Sequence, residues 1–122
     1  MSDRNSAAEL AAMLLEQLEQ ARQRGELLTY RQLMEVLALP TPRMQSLARL
    51  LEQLAEQDAR QGWPLRSALV VSQTDSNLPR PGFFQHLAEA GIMPEPADLA
   101  AAEFWHAQEV RRVFEFSYQG EA

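Results

Sequence analysis

The feature that most constrains this chain is the turn Leu39-Pro40-Thr41-Pro42, set between two apolar-periodic runs, Leu27 to Met34 and Met44 to Leu54. A proline ring removes a backbone donor and clashes with the preceding turn, so neither proline fits inside a helix. The two runs therefore read as short helices meeting at a tight turn, which is helix-turn-helix grammar. The hydrophobic run Ser67 to Ser72, a loop rich in Pro and Gly, and the apolar restart at Phe83-Phe84 suggest a strand and a wing appended to the pair.

Local signals bound the elements. Ser6 or Asn5 caps a first helix running to about Arg24, with Leu10, Met13, Leu14, Leu18 and Ala21 as one apolar stripe and Gly25 as its end. Thr29 followed by Gln32 makes a capping box for the second helix, whose inner face is Tyr30, Leu33, Met34 and Leu37. Thr41 as N-cap with Pro42 at the first helical position starts the third, which buries Met44, Leu47, Leu50, Leu51 and Leu54 and stops at Gly62. Ala68 to Val71 reads as a strand, Gln73 to Pro81 as a long hairpin tip, and Phe83 to Ala90 as a short helix ended by Gly91. Met93-Pro94-Glu95-Pro96 is the clearest break. After it comes a last helix, Ala97 to about Ser117, with Leu99, Ala102, His106, Val110, Val113 and Phe114 on one face.

The expected fold is α+β and mostly helical. A winged helix-turn-helix-like core at 26–91 carries an N-terminal helix at 1–25 and a C-terminal amphipathic helix at 95–118, all in a single domain, 1–122.

Charge narrows the partners. The net charge is −6, and every one of the 11 basic residues is Arg, which together with abundant Ala and Leu looks like the codon usage of a GC-rich bacterial genome. Residues 1–28 sum to −2, residues 29–80 to +1 and residues 81–122 to −5. An acidic whole disfavours nonspecific contact with phosphates, yet the helix-turn-helix segment escapes that acidity. The absence of cysteine rules out disulfides, thiolate metal sites and a thiol nucleophile, and it fits a reducing cytoplasm. The polar start, Met1 to Ser6, is not followed by the hydrophobic core of a signal peptide, and no apolar run reaches the ~20 residues of a membrane span. A cytoplasmic protein without a membrane partner is the expectation.

From Leu28 to Phe83, a little under half of the chain, the order of elements resembles the C-terminal winged-helix domain of the alkylguanine-DNA alkyltransferases and alkyltransferase-like proteins. Thr29-Tyr30 with Leu33 resembles that family's Thr-Tyr-Gly helix start. A recognition-like helix from Pro42, then Leu69-Val70-Val71, then Asn77-Leu78 and Gly82-Phe83 in the place of the wing continue the likeness. The chain departs from the family at Arg31, which replaces the glycine, and at Leu65-Arg66-Ser67-Ala68, which stands near the place of the reactive Pro-Cys-His-Arg motif. Alkyl transfer needs the thiolate as reagent and is excluded. What the resemblance still implies is DNA docking, with Tyr30 near a phosphate and the first turn of the third helix in a groove. The Leu-Val-Val and Pro-x-Pro-Gly-Phe-Phe arrangement also resembles small bacterial proteins, and this second likeness carries no function.

The candidate nucleic-acid contacts are Arg43, Gln45, Ser46 and Arg49 at the start of the third helix, Tyr30 and Arg31 on phosphate, and Arg80 in the wing. Arg and Gln can read base edges, and a helix N-terminus favours phosphate. Glu52, Glu56 and Asp58 further along would repel it. The competing expectation is a protein-interaction module of adaptor, antitoxin or immunity type, or a homodimer, using the acidic last helix with Trp105, Arg112 and Phe116 as anchors. Glu103, His106 and Glu109 stand at spacing three, but carboxylate-bridged metal bundles need a second such set, so a hydrogen-bonded, partly buried His106 is the preferred reading. Ser67, Ser72 and Ser76 have no base positioned by sequence. The expectation is a binding module that is not an enzyme, with no catalytic residues, no metal and no cofactor.

Overall fold

The computed structural model describes residues 6–73 and 77–118. Helix α1 (Ala7–Arg24) starts at Ser6, whose hydroxyl accepts from the Glu9 N–H while the Glu9 carboxylate accepts from the Ser6 N–H, and ends at Gly25 in the left-handed region (φ 66°). Its buried stripe is Leu10, Leu14, Leu18 and Ala21. Met13, expected on that stripe, is 39% exposed, because it sits one residue off the four-residue spacing that faces the core. The alternative cap, Asn5, lies outside the described residues.

Strand β1 (Leu28–Thr29) runs directly into α2 (Tyr30–Val36), which opens with the expected Thr29–Gln32 capping box. Helix α3 (Arg43–Gln61) starts one residue away from expectation. Pro42 is the N-cap, extended at φ −73° and ψ 127°, and no side chain caps the first turn. Gly62 ends the helix in the left-handed region (φ 73°), and the Trp63 N–H reaches back to the Asp58 carbonyl. Leu47, Leu51 and Leu54 are buried as expected, while Met44 and Leu50 are only partly covered. Truncating Leu47, which is fully buried, to alanine would cost about 2–5 kcal/mol.

The wing is where expectation and structure part. Arg66–Leu69 form a single 3-10 turn, and strand β2 is only Val70–Val71. Among the described residues β2 pairs with β1, and in parallel: Leu28 faces Val70 and Thr29 faces Val71. The hairpin expected around 73–81 is therefore replaced: among the described residues β2 leads to α4 (Pro81–Glu89), with the Ser72 N–H donating to the Leu78 carbonyl. The physical reason is burial on both faces. Leu69, Val70 and Val71 are all buried, and a run apolar on both sides belongs inside a parallel arrangement rather than on a half-exposed ribbon. Part of that loop, 74–76, including Ser76, lies outside the described residues.

Helix α5 (Leu99–Glu115) is capped by the Asp98 carboxylate, which accepts from the Ala101 N–H. The mostly helical α+β expectation holds, with two apolar cores. One joins α1, α2, α3, the 69–70 segment and Val113. The other gathers Ala55, Leu65, Leu78, Phe83, Phe84, Leu87, Met93 and Ala102, with Trp105 packed on it. Both α3 and α5 contribute to each core, so their remaining faces define the outside of the molecule. No helix among the described residues is long and apolar enough to cross a membrane.

Candidate nucleic-acid interface

Every exposed residue of α3 is Arg or Gln: Arg43, Gln45, Arg49, Gln53, Gln57, Arg60 and Gln61. At ~100° per residue these seven fall on one continuous side of the helix. The three acids of α3 are drawn elsewhere. Asp58 is 0% exposed; its carboxylate accepts from the Arg66 backbone N–H (3.0 Å), Nε (3.2 Å) and Nη2 (2.6 Å). Glu52 and Glu56 lie at the edge of the face and turn onto His86 of α4. The imidazole Nδ1 is 3.6 Å from Glu52, and Nε2 is 2.8 Å from Glu56 but off hydrogen-bond alignment. Burial removes Asp58 from the surface that Arg43 and Arg49 share, while the Glu52 and Glu56 side chains stay 29% and 40% exposed beside it.

The other sequence candidates are placed less uniformly. Ser46 is half-buried and donates to the Pro40 carbonyl in the preceding turn at 2.8 Å, while Arg43 donates to the Met34 carbonyl at 3.3 Å and fastens α3 to the end of α2. Arg31 is exposed on α2, with Glu35 3.8 Å away. Tyr30 is 6% exposed; its hydroxyl accepts from the Arg80 N–H at 3.0 Å, and burial raises its pKa. The phenol joins the start of α2 to the loop before α4. The guanidinium of Arg80 lies over Gly82, where a Cβ would come within 3.3 Å of it. Tyr30 and Arg80 are thereby brought together, though by a backbone bond.

Of the three partner anchors expected on α5, two turn inward. Trp105 meets Phe84 edge-on at 6.0 Å, and Phe116 stacks among Trp63 (6.0 Å) and Tyr118 (4.6 Å). Arg112 is exposed and donates to Glu109 at 2.5 Å. The rings and chains that α5 does leave outside are Phe104, 67% exposed, and Leu99, 62% exposed. Leu99 was expected on the inner face, where Glu109 takes a place instead.

The ionisable groups best able to do chemistry are spent on backbone. Glu109, buried, accepts from the Leu65 N–H at 2.7 Å; His106, buried, has Nε2 2.7 Å from the Ala68 carbonyl and must be its donor; the Ser67 hydroxyl donates to the Leu51 carbonyl at 2.7 Å. Tyr118 donates to the Pro64 carbonyl at 2.8 Å, with Arg66 over its ring at 4.5 Å. Residues 64–68 are thus clamped from α3, α5 and the segment after it. The expected hydrogen-bonded His106 is what is found, and no group of three or more metal-ligating side chains occurs among the described residues. Gln53, Gln57, Arg60 and Gln61 were not singled out in the sequence reading. Their spacing from Arg49 was a readable signal, but the destination of the intervening acids was not. Comparison with protein-family models, with curated proteins and with solved structures gives no match.

Proposed function

We propose that this chain is a non-enzymatic nucleic-acid-binding module of helix-turn-helix type, docking through the exposed side of α3. One observation carries the reading: in a protein of net charge −6, the fully exposed residues of this one helix are three arginines and four glutamines, while of its acids Asp58 is buried and Glu52 and Glu56 are partly covered. Guanidinium groups supply phosphate contacts, and Arg and Gln side chains are the pair that read guanine and adenine edges bidentately. The first turn of α3, without a side-chain cap, adds unpaired N–H groups beside Arg43. Segment 26–91 is on this reading winged-helix-like, with the parallel β1–β2 pair backing the helices instead of a hairpin.

The test is titration of labelled duplex, single-stranded and hairpin nucleic acids at low salt. Binding is expected, weakening as salt rises, and Arg49→Ala should flatten the salt slope by about 1 for the lost phosphate contact. Arg111→Ala, on α5, should change nothing. Absence of binding to all three ligands at low salt removes the proposal.

A second reading, a protein-interaction module working through the acidic C-terminal third, is favoured by the exposure of Leu99 and Phe104 on α5.

A further inference from the structure

A groove of about 850 Å³ opens between α4, the 94–98 segment and the start of α5. Its lining is largely apolar: buried Leu78 and Phe84, exposed Leu99, and Pro79 and Pro81. Its charged residues are all acids, Glu89, Glu95 and Asp98, with no Arg, Lys or His among those that line it. Among the described residues neither Glu89 nor Asp98 has a basic partner; Glu89 accepts from Gln85 at 3.3 Å and Asp98 caps α5.

We infer that this groove receives a basic amphipathic helix of a partner protein, which seats an aliphatic or aromatic side chain beside Leu99 and sets Lys or Arg against Glu89, Glu95 and Asp98. The inference rests on the protein-interaction reading and gives it a location and a ligand chemistry. Three physical points support it. A leucine 62% exposed on the lining of an apolar groove loses water only when something covers it, and covering it favours binding. Grooves of this kind take helices that present an apolar stripe. An acid-only rim repels an acidic occupant and guides a basic one, and it disfavours a second copy of this chain set face to face, since that would oppose the three carboxylates to themselves.

The experiment uses the intact chain and three synthetic peptides: an amphipathic leucine–lysine helix, its leucine–glutamate twin, and a leucine–lysine peptide of the same composition scrambled to destroy the stripe. Amide shifts are followed as each is added. The leucine–lysine helix is expected to bind saturably with shifts concentrated at residues 78–99, the scrambled peptide more weakly by roughly tenfold, and the glutamate twin not at all. Leu99→Asp should cost at least about tenfold in affinity, the loss expected when a central apolar anchor goes. That variant adds a carboxylate to an already acidic rim, so its loss cannot be electrostatic. It also keeps the fold, because Leu99 is exposed and an acid in the first turn suits the helix dipole. Glu95→Lys should weaken binding and reduce its salt sensitivity.

Equal binding of the glutamate twin or of the scrambled peptide overturns the proposal, as does self-association of the chain abolished by Leu99→Asp. Loss of binding in Phe104→Asp with none in Leu99→Asp overturns the groove while leaving α5 an interaction surface through its other side. Absence of binding by any peptide overturns the ligand chemistry assigned.

Discussion

Helices α3 and α5 do the same structural task and present different surfaces, one of Arg and Gln, the other carrying exposed apolar side chains among balanced charges. Each turns one carboxylate inward onto the chain between Trp63 and Ser67: Asp58 onto Arg66, Glu109 onto the Leu65 N–H. By composition α3 is neutral, with three arginines and three acids. Once Asp58 is buried, its fully exposed residues are all Arg or Gln, with Glu52 and Glu56 partly covered against His86. Helix α5 shows Leu99 and Phe104 instead, among exposed charges that balance, Glu103 and Glu115 against Arg111 and Arg112. The sign of a helix's surface is set by which of its charges find partners below it, and that is tertiary information.

The sharpest way to break the comparison is to remove the two buried carboxylates. Asp58→Asn leaves Arg66, held beneath Trp63 at 5.5 Å and Tyr118 at 4.5 Å, without its counter-charge and sets an amide donor against guanidinium donors. Stranding one partner of a buried pair costs about 3–5 kcal/mol. Glu109→Gln keeps an oxygen for the Leu65 N–H, and Arg112, 55% exposed, stays hydrated, so about 1–2 kcal/mol is expected there. Urea unfolding followed by far-ultraviolet circular dichroism measures both. Equal losses would mean that the two helices are anchored alike and that their difference is confined to the surface.

A smaller effect separates the two grips by pH. From α3 the clamp on Ser67 is a carbonyl of Leu51, which does not titrate, whereas from α5 the clamp on Ala68 is His106. Burial holds the His106 pKa below its ordinary 6.5, with the Ala68 bond opposing. The unfolded chain therefore binds a proton at this residue before the folded one does, and the stability it contributes is complete above the unfolded pKa and lost as pH falls from there through the lower folded value. The urea midpoint is expected to decline as pH drops below the ordinary histidine range. His106→Gln, whose amide can still donate to Ala68, should lower stability at neutral pH and flatten that decline. An unchanged slope would remove His106 as the source of the pH dependence.

Much of the fold was legible because its signals are local. The Ser6–Glu9 and Thr29–Gln32 capping boxes, Gly25, Gly62 and the Pro-x-Pro turn act on their own neighbours, and each element they bound is present. The partner of Val70–Val71 was not legible. A four-residue apolar run fits a hairpin or a buried parallel pair equally well, and the choice depends on Leu28 about forty residues earlier. The candidate interface divides the same way. Arg43, Gln45 and Arg49 could be placed on α3 by helical spacing, and Tyr30 on the inner face of α2, but the Arg80 backbone N–H that occupies the Tyr30 hydroxyl comes from fifty residues away. Helix α5 misled because Trp105 and Phe116 lie off the periodic face. Their cover comes from Phe84, Trp63 and Tyr118, on other segments, while Phe104 next door has none of them.

Phe104 gives the smallest expected effect and the finest test of that difference. By helical geometry it lies roughly opposite Ala102, His106 and Val113, the residues that bind α5 to the rest of the molecule. Phe104→Ser should therefore change the free energy of unfolding by no more than about 0.5 kcal/mol, as should Gln57→Ser on the exposed side of α3. The two substitutions should differ only outside the fold. Emission from a hydrophobic dye such as ANS should fall with Phe104→Ser, since a ring 67% exposed is among the apolar surfaces the folded chain offers to a probe, and should stay level with Gln57→Ser. A loss above about 1 kcal/mol for Phe104→Ser would show that the ring is packed in solution. The outer side of α5 would then be closed, and the contrast with α3 would reduce to charge alone.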